Sequence, residues 1–335
     1  EKWLKAALEI NPRQIKARQF LGQLQMQSGR FTEAVETFNV LLKQELNLDD
    51  VIASAHLNLA KIALVRRQWN QAEKHFKEVG KSPERGDRAT AEKGLLLGSR
   101  LRKTGLWNRE QTPRLDVYFS PKIDGDAAWR KNWVETRDRA LQRMYERVKW
   151  TIPEPIPVYV YFNNDDCYEI TGQETAHTFR YSWWLVHTLQ DATPGHDLAH
   201  QVVSRAWGSR PATVPLVEGF CDLLDGTAAD RHAEARKLAA AGKLRSLVDL
   251  HARQKEEEGM GAASRSFVAF AVAEYGIEKF IESFRNYNLV LLDPKYKVEG
   301  VKNVYKWPEA LDEVFRRGLG ESLAVVEGKW KKSLQ

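Results

Sequence analysis

One repeated spacing in the first hundred residues constrains the fold more than any other feature of the sequence. Each copy has an aromatic residue, a small residue three positions later and a second aromatic four positions after that. The two copies are Phe31, Ala34, Phe38 and Trp69, Ala72, Phe76. Seven residues make two helical turns, so both aromatics lie on one helix face and the small residue lets a neighbouring helix approach. Residues 1–104 are therefore predicted to form helical hairpins with an internal repeat.

The helices that precede each copy also match. They carry Ala17, Leu21 and Leu24 in one copy and Ala55, Leu59 and Ile62 in the other. Residues 1–106 resemble the tetratricopeptide repeat, with about two and a half repeat units and a capping helix at 87–103. The resemblance implies an all-α solenoid that binds a protein partner. Because the chain opens on a lone second helix, we expect it to be cut from a longer array.

Charge is unevenly distributed along the chain. The net charge is +6, but residues 1–110 hold 20 Lys/Arg against 13 Asp/Glu, so that this segment is +7 and the remainder is −1. A basic character confined to one segment argues against a nucleic-acid-binding protein as a whole. It favours an acidic protein partner for the repeats, with a solvated basic face as the alternative.

Other features of the composition exclude whole classes of protein. No apolar run is long enough to span a bilayer, which predicts no membrane span. Two cysteines, Cys167 and Cys221, exclude a disulfide scaffold and a cysteine-rich zinc module, although a single disulfide stays open. Glu1 falls within a predicted helix, so we expect a preceding segment with any signal peptide. The compartment is not determined, with an exported location favoured over a cytoplasmic one.

The rest of the chain is predicted to form a different kind of domain. A linker at 107–114 contains Pro113, and a second domain covers 115–335. Strands are predicted at 115–121, 158–162 and 179–189, a helix at 126–149, and later helices at 193–207, 214–226, 230–252, 262–287, 308–318 and 321–333. Strands that come first and helices that follow indicate an α+β domain, with a small sheet beside a helical lobe.

Two histidines on one predicted helix are the strongest chemical signal. His196 and His200 are four residues apart, so both imidazoles lie on one helix face and can reach one metal ion. Glu218 follows after a loop and can supply a third ligand from the next helix. Asp222, one turn beyond Glu218, is placed to accept the other N–H of a ligating histidine. The spacing therefore predicts a zinc site, although two histidines at this spacing also occur by chance.

Several motifs together resemble a known family of peptidases. Val217, Glu218, Gly219 and Phe220 match the second motif of the gluzincins, whose zinc helix reads His-Glu-x-x-His. Residues 155–334 resemble the branch of that clan often joined to tetratricopeptide repeats. The resemblance implies a zincin-like fold, zinc held by His196, His200 and Glu218, and hydrolysis of peptide bonds.

One residue departs from the family pattern. The family's general base is a Glu directly after the first His, and here that position is Asp197. Asp performs the same acid–base chemistry with one methylene less reach, and a misplacement of about 1 Å can cost on the order of 10²-fold in rate. Either the backbone compensates, or hydrolysis is slow, or it is lost. In the last case the domain is a non-catalytic binding or scaffold module. A further alternative gives the main function to the repeats.

Further residues are candidates for contact with a substrate. Arg265 is a candidate donor to the oxyanion, with a surface arginine as the alternative. Tyr181, Trp183 and His187 share one face of the predicted strand 179–189, where they would contact a peptide added as a further strand. Core packing is the alternative for Trp183, and metal ligation is a competing interpretation of His187.

Overall fold

The computed structural model describes residues 1–44, 48–172, 184–207, 214–226, 230–253, 260–299 and 305–335. The chain divides into two compact units. The first consists of Glu1–Arg139 and Thr151–Ala192, and the second of Ala140–Trp150 and Thr193–Gln335. The described part of the chain is mostly helical with a small four-stranded sheet.

The first unit begins with the predicted helical hairpins. The helices are α1 (Lys2–Ile10), α2 (Ile15–Gln27), α3 (Phe31–Leu42), α4 (Asp49–Val65), α5 (Trp69–Val79) and α6 (Arg85–Arg102). Phe31, Phe38 and Phe76 are fully buried. A Cβ atom at Gly22 would lie 2.7 Å from the ring of Phe38, and one at Gly94 would overlap the ring of Phe76. Large aromatics therefore pack against the bare backbone of a neighbouring helix, which is the packing that the sequence pattern predicts.

The sheet of the first unit has the strand order β1–β2–β3–β4. Its strands are β1 (Asn108–Gln111), β2 (Leu115–Phe119), β3 (Ile156–Tyr161) and β4 (Val186–Leu189). β1 pairs antiparallel with β2, and the other neighbours are parallel, with Leu115 opposite Ile156 and Val158 opposite Val186. The segment 107–114, which the sequence predicts as a linker, thus contributes the edge strand β1. Of the predicted strand 179–189, residues 179–183 lie outside the described residues.

The repeats and the sheet share one hydrophobic core. Tyr118, Tyr159 and Tyr161 belong to the same buried cluster as the aromatics of the repeats. Arg67, in the turn between α4 and α5, adopts a φ of 56° and places its guanidinium 3.9 Å from the centre of the Tyr118 ring. It also donates a hydrogen bond to the Tyr159 hydroxyl at 3.3 Å. The array is therefore packed onto the sheet, a contact that the sequence does not predict.

Helix α7 (Ala127–Val148) packs against a different part of the sheet and continues into the second unit. The ring of Trp133 meets the edge of Phe119 at a centroid distance of 5.3 Å, and its indole N–H donates to the Gln190 carbonyl. A further helix, α8 (Asn164–Thr171), is absent from the sequence prediction. Its first turn is capped by the Asn163 side chain, which accepts a hydrogen bond from the Asp166 amide.

The second unit is helical in the residues that the structure describes. Its helices are α9 (His196–Trp207), α10 (Val214–Asp225), α11 (Ala233–Ala240), α12 (Leu247–Arg253), α13 (Met260–Tyr275), α14 (Ile277–Leu292), α15 (Trp307–Leu319) and α16 (Leu323–Ser333). The single helices predicted at 230–252 and 262–287 are wrong, since each is two helices. Gly242 and Gly276 interrupt them with φ angles of 66° and 86°, which helical residues do not adopt.

The structure bears on two predictions made from composition, the state of the cysteines and the lack of a membrane span. Cys167 and Cys221 are both buried free thiols, so the disulfide left open by the sequence does not join them. Among the described residues, no helix has the length and apolar character needed to cross a membrane.

Candidate metal centre

The candidate ligands lie on α9 and α10, which pack against each other. His196 is the first residue of α9 and His200 follows one turn later. Glu218 lies in the first half of α10. The connection at 208–213, where the sequence predicts a loop, lies outside the described residues.

Side-chain atoms of His196, His200 and Glu218 lie close together. The Nε2 atoms of His196 and His200 are 3.0 Å apart. Glu218 places Oε2 3.2 Å from the His196 Nε2 and Oε1 3.4 Å from the His200 Nε2. One ligand atom from each residue lies within 4.8 Å of the others. The structure thus brings together the three residues that the sequence predicts as ligands.

These separations fit a small tetrahedral ion. Zinc binds histidine nitrogen and carboxylate oxygen at about 2.0–2.2 Å, which puts neighbouring ligands of a tetrahedron about 3.3–3.5 Å apart. The separation of the two Nε2 atoms, and that of each from its nearer Glu218 oxygen, lie within a few tenths of an ångström of that value. Two imidazoles and one carboxylate are also a donor set found in catalytic zinc sites. Donor type and spacing therefore both fit zinc.

Asp222 contacts the ring nitrogen of His196 that faces away from His200 and Glu218. Its Oδ1 lies 2.7 Å from the His196 Nδ1, so that Nδ1 donates and Nε2 faces His200 and Glu218. The Asp222 Oδ2 lies 3.4 Å from Arg265 Nη1 on α13. Asp222 therefore joins a candidate ligand to the predicted catalytic arginine. The fixed tautomer is the one that ligation through Nε2 requires.

Electrostatics at this cluster favour proton or cation binding. Burial opposes charge on His196, but hydrogen bonds to Asp222 and Glu218 outweigh it and raise its pKa to about 9. Burial alone would raise the pKa of Glu218, but contacts with His196 and His200 hold it well below its usual range. The cluster is thus an anionic pocket that stabilises positive charge in its centre.

Asp197 lies beside the ligands in sequence and is nearly enclosed. Only 5% of its surface is exposed, although it is in the first turn of α9. A carboxylate near a helix N-terminus is favoured by the helix dipole. Asp197 is therefore held in a water-poor environment directly after His196.

Two glycines allow the helices of the site to approach closely. A Cβ atom at Gly195 would overlap the Asp225 side chain and lie against Met144 of α7. One at Gly219, directly after Glu218, would overlap the backbone carbonyl of Ser264 on α13. The ligands are therefore held by contacts that leave no room for one extra carbon.

The second half of α7 supports the same helices. Arg147 donates a hydrogen bond to the Leu223 carbonyl in α10 at 2.9 Å. Neither this contact nor the glycine contacts were predicted from the sequence. Of the two glycines, Gly219 is part of the sequence motif that contains Glu218. The contact partners of both glycines, however, follow from tertiary packing.

The three residues predicted to contact a substrate are Tyr181, Trp183 and His187. Tyr181 and Trp183 lie outside the described residues. His187 is fully buried in the first unit, where its ring stacks on those of Tyr159 and Tyr161 and its Nδ1 lies 2.6 Å from the Tyr161 hydroxyl. Burial lowers the pKa of His187 to about 3. The ring therefore has no surface with which to contact a substrate, and its place is in the core.

Comparison with known proteins identifies the repeats. Residues 2–54 match the family model of the tetratricopeptide repeat. Searches of curated proteins and of solved structures returned no match to the chain. The N-terminal part of the chain therefore contains a tetratricopeptide repeat, a module that suggests protein–protein interaction.

Proposed function

We propose that the second unit is a zinc-dependent peptidase and that the repeats bind its substrate or a partner protein. The observation that carries this proposal is the convergence of His196, His200 and Glu218: the two Nε2 atoms are 3.0 Å apart, and each lies 3.2–3.4 Å from a different carboxylate oxygen of Glu218. Three protein ligands leave the fourth position of a tetrahedral zinc ion open, as catalytic sites require.

The ion would supply Lewis acidity, lowering the pKa of a bound water and polarising the substrate carbonyl. The residues around the ion would fix the orientation of its ligands and transfer protons. Asp222 keeps the His196 proton on Nδ1, so that Nε2 remains a ligand. Asp197 is the carboxylate that accepts the proton of the attacking water and passes it to the leaving amine. Arg265, held through Asp222, adds positive charge near the site.

The substrate class rests on two supports. The resemblance of residues 155–334 to the gluzincins favours a peptide bond as the target. The tetratricopeptide repeat favours a protein partner, and a segment of such a partner is a suitable substrate. The net charge of +7 over residues 1–110 favours an acidic partner.

A second candidate function is a non-catalytic module that keeps the zinc. The observation that favours it is Asp197 itself, since its carboxylate is one methylene shorter than the family's Glu and its surface is 5% exposed. A base that fails to reach the water by about 1 Å reduces the rate by on the order of 10²-fold. The protein would then use the site for structure or binding.

Substitution at position 197 separates the two functions. The full chain, purified with zinc, is incubated with a broad peptide library, and cleavage is followed by mass spectrometry. For a peptidase limited by reach, Asp197→Glu raises cleavage. Asp197→Asn, which keeps the shape and removes the base, lowers cleavage to the background level.

Zinc content measured on the same samples makes the result decisive. We expect close to one zinc per chain in all three proteins, because none of the ligands is changed. Full zinc content without cleavage in the wild type or in Asp197→Glu would overturn the peptidase proposal in favour of the non-catalytic module. No zinc in any of the three would overturn both functions.

A further inference from the structure

The repeats contain a second pair of histidines, His56 on α4 and His75 on α5. Their Nδ1 atoms are 2.9 Å apart, and their ring centroids are 5.2 Å apart with a 37° angle between the planes. Both rings are half-buried, and the two helices pack against each other within one repeat. The pair was not singled out by the sequence, because its members are 19 residues apart.

The packing of the repeat does not by itself require histidines here. The internal repeat places Arg18 and Thr37 at the equivalent positions, 38 residues earlier. Thr37 uses its hydroxyl for a 2.7 Å hydrogen bond to the Gln25 side chain. The same pair of helices therefore packs with other side chains at these positions, and the contact between two imidazoles is particular to the second repeat.

Both rings are in the form that binds metals. Burial lowers the pKa of His56, and burial together with the adjacent His56 lowers that of His75 to about 4. Neutral imidazoles 2.9 Å apart share one hydrogen bond, with one Nδ1–H donating to the other Nδ1. For both Nδ1 atoms to act as ligands, the donor ring moves its proton to Nε2, and no proton leaves the protein.

The charges nearby are nearly balanced. Glu78, one turn after His75, pairs with Lys81 at 2.8 Å. Lys74 is exposed, so solvent screens its repulsion of a cation. The field around the pair therefore permits a divalent ion.

We propose that His56 and His75 bind a divalent transition-metal ion of the copper or nickel class through their Nδ1 atoms. Two nitrogen ligands at about 2.0–2.1 Å and at the right angle of a square-planar site are about 2.9 Å apart, which is the observed separation. Imidazole suits both metals, and Cu²⁺ binds most tightly in the general order of affinities. The ion links α4 to α5, and water fills its other positions. This proposal does not depend on the proposed peptidase function.

The test uses Cu²⁺ as the probe. The full chain, without a polyhistidine tag, carries His200→Ala so that the site in the second unit loses a ligand. Copper is titrated and followed by electron paramagnetic resonance, which reports imidazole nitrogens through hyperfine splitting. His56→Phe and His75→Phe each remove one ligand and keep an aromatic ring at the half-buried position. His232→Gln is the control at another partly buried histidine.

We expect one saturable Cu²⁺ with nitrogen hyperfine splitting, bound at least about 10–100-fold more weakly in either Phe variant, since loss of a ligand costs no less than loss of a ligand's supporting partner. Copper should also raise the melting temperature of the parent and not of the Phe variants, because it binds only the folded pair. His232→Gln should match the parent. Absence of saturable copper binding in the parent, or binding unchanged in both Phe variants, would overturn the proposal.

Discussion

Two pairs of histidines in this protein have nearly the same separation between facing ring nitrogens and opposite electrostatics. The facing ring nitrogens are 2.9 Å apart in His56 and His75 and 3.0 Å apart in His196 and His200. In the repeats, burial lowers the pKa of both rings. At the candidate metal centre, the pKa of His196 is raised to about 9 despite burial.

The difference comes from carboxylates rather than from the histidines. Glu218 contacts both rings of the second pair, and Asp222 holds the far side of His196. The separation of two imidazoles therefore does not by itself determine how strongly they bind a cation. The negative charge placed around them decides whether the pocket stabilises a cation strongly, and this distinction can be tested by removing one carboxylate at a time.

The largest effect is expected from Glu218→Gln, which removes the charge that distinguishes the two pairs. Loss of an anionic ligand from a three-ligand site should reduce bound zinc from close to one per chain to near zero. Metal content after dialysis measures this, with Glu234→Gln on α11 as an exposed control that should keep its zinc. Full zinc content in Glu218→Gln would show that this carboxylate is not a ligand.

Asp222→Ala should have the next largest effect. His196 keeps its ligand atom but loses the partner that fixes its ring and tautomer, so zinc affinity should fall by about 10–100-fold. Competition with a chromophoric chelator measures the change. Asp249→Ala, on α12, provides a matched loss of one aspartate and should leave the affinity unaltered. Equal zinc affinities for Asp222→Ala and wild type would show that Asp222 does not support His196 as a ligand.

Gly219→Ala tests whether packing, and not only charge, sets the second pair apart. The added carbon overlaps the Ser264 carbonyl, a backbone atom that cannot rotate away, so we expect a loss of about 1–3 kcal/mol in the free energy of unfolding. Zinc affinity should fall with it, since Glu218 is the adjacent residue.

Gly328→Ala is the matched control for that experiment. Gly328 lies in α16, and its added carbon meets no atom within 4 Å. Alanine should therefore stabilise the protein by up to about 1 kcal/mol through helix propensity. Chemical denaturation of both variants measures the two free energies. Similar stability changes for the two would contradict the close approach of α10 and α13.

The smallest expected effect is a difference in the number of protons released when each pair of histidines binds its metal. At pH 7.5, His196 in the metal-free protein is below its pKa of about 9 and carries a proton that zinc must displace. Zinc binding should release at least about one proton, and this contribution from His196 should disappear as the pH rises through about 9.

Copper at His56 and His75 should release none from the two rings, because both are already neutral at pH 7.5. Calorimetry in buffers of different ionisation enthalpy counts the protons. The zinc titration uses the wild type, and the copper titration uses the chain with His200→Ala. Equal proton release at the two sites would contradict the electrostatic difference between them.

Local patterns in the sequence predict the parts of the structure that depend on helical spacing. Phe31 and Phe38 predict a packed helix face, and His196 and His200 predict a shared direction, because side chains at these spacings leave the helix on one side. The distance from His200 to Glu218 leaves room for a second helix to return. These predictions needed only the geometry of one or two helices.

The parts of the structure that the sequence does not predict depend on contacts between residues distant in sequence. Arg67 stacks on Tyr118 and joins the repeats to the sheet, and nothing near Arg67 in the sequence indicates that partner. His187 alternates with polar and aromatic neighbours like a cleft residue, yet the sheet buries it completely. Asp222 on α10 pairs with Arg265 on α13, although the two residues are 43 positions apart in sequence. Such contacts are properties of the packed chain.

The most direct test of the zinc site is an anomalous difference map at the zinc absorption edge from crystals of the zinc-loaded protein. We expect one strong peak about 2.0–2.2 Å from the Nε2 atoms of His196 and His200 and from a carboxylate oxygen of Glu218. A map with no peak there, or with its zinc peak on other residues, would contradict the assignment of this cluster as a zinc site.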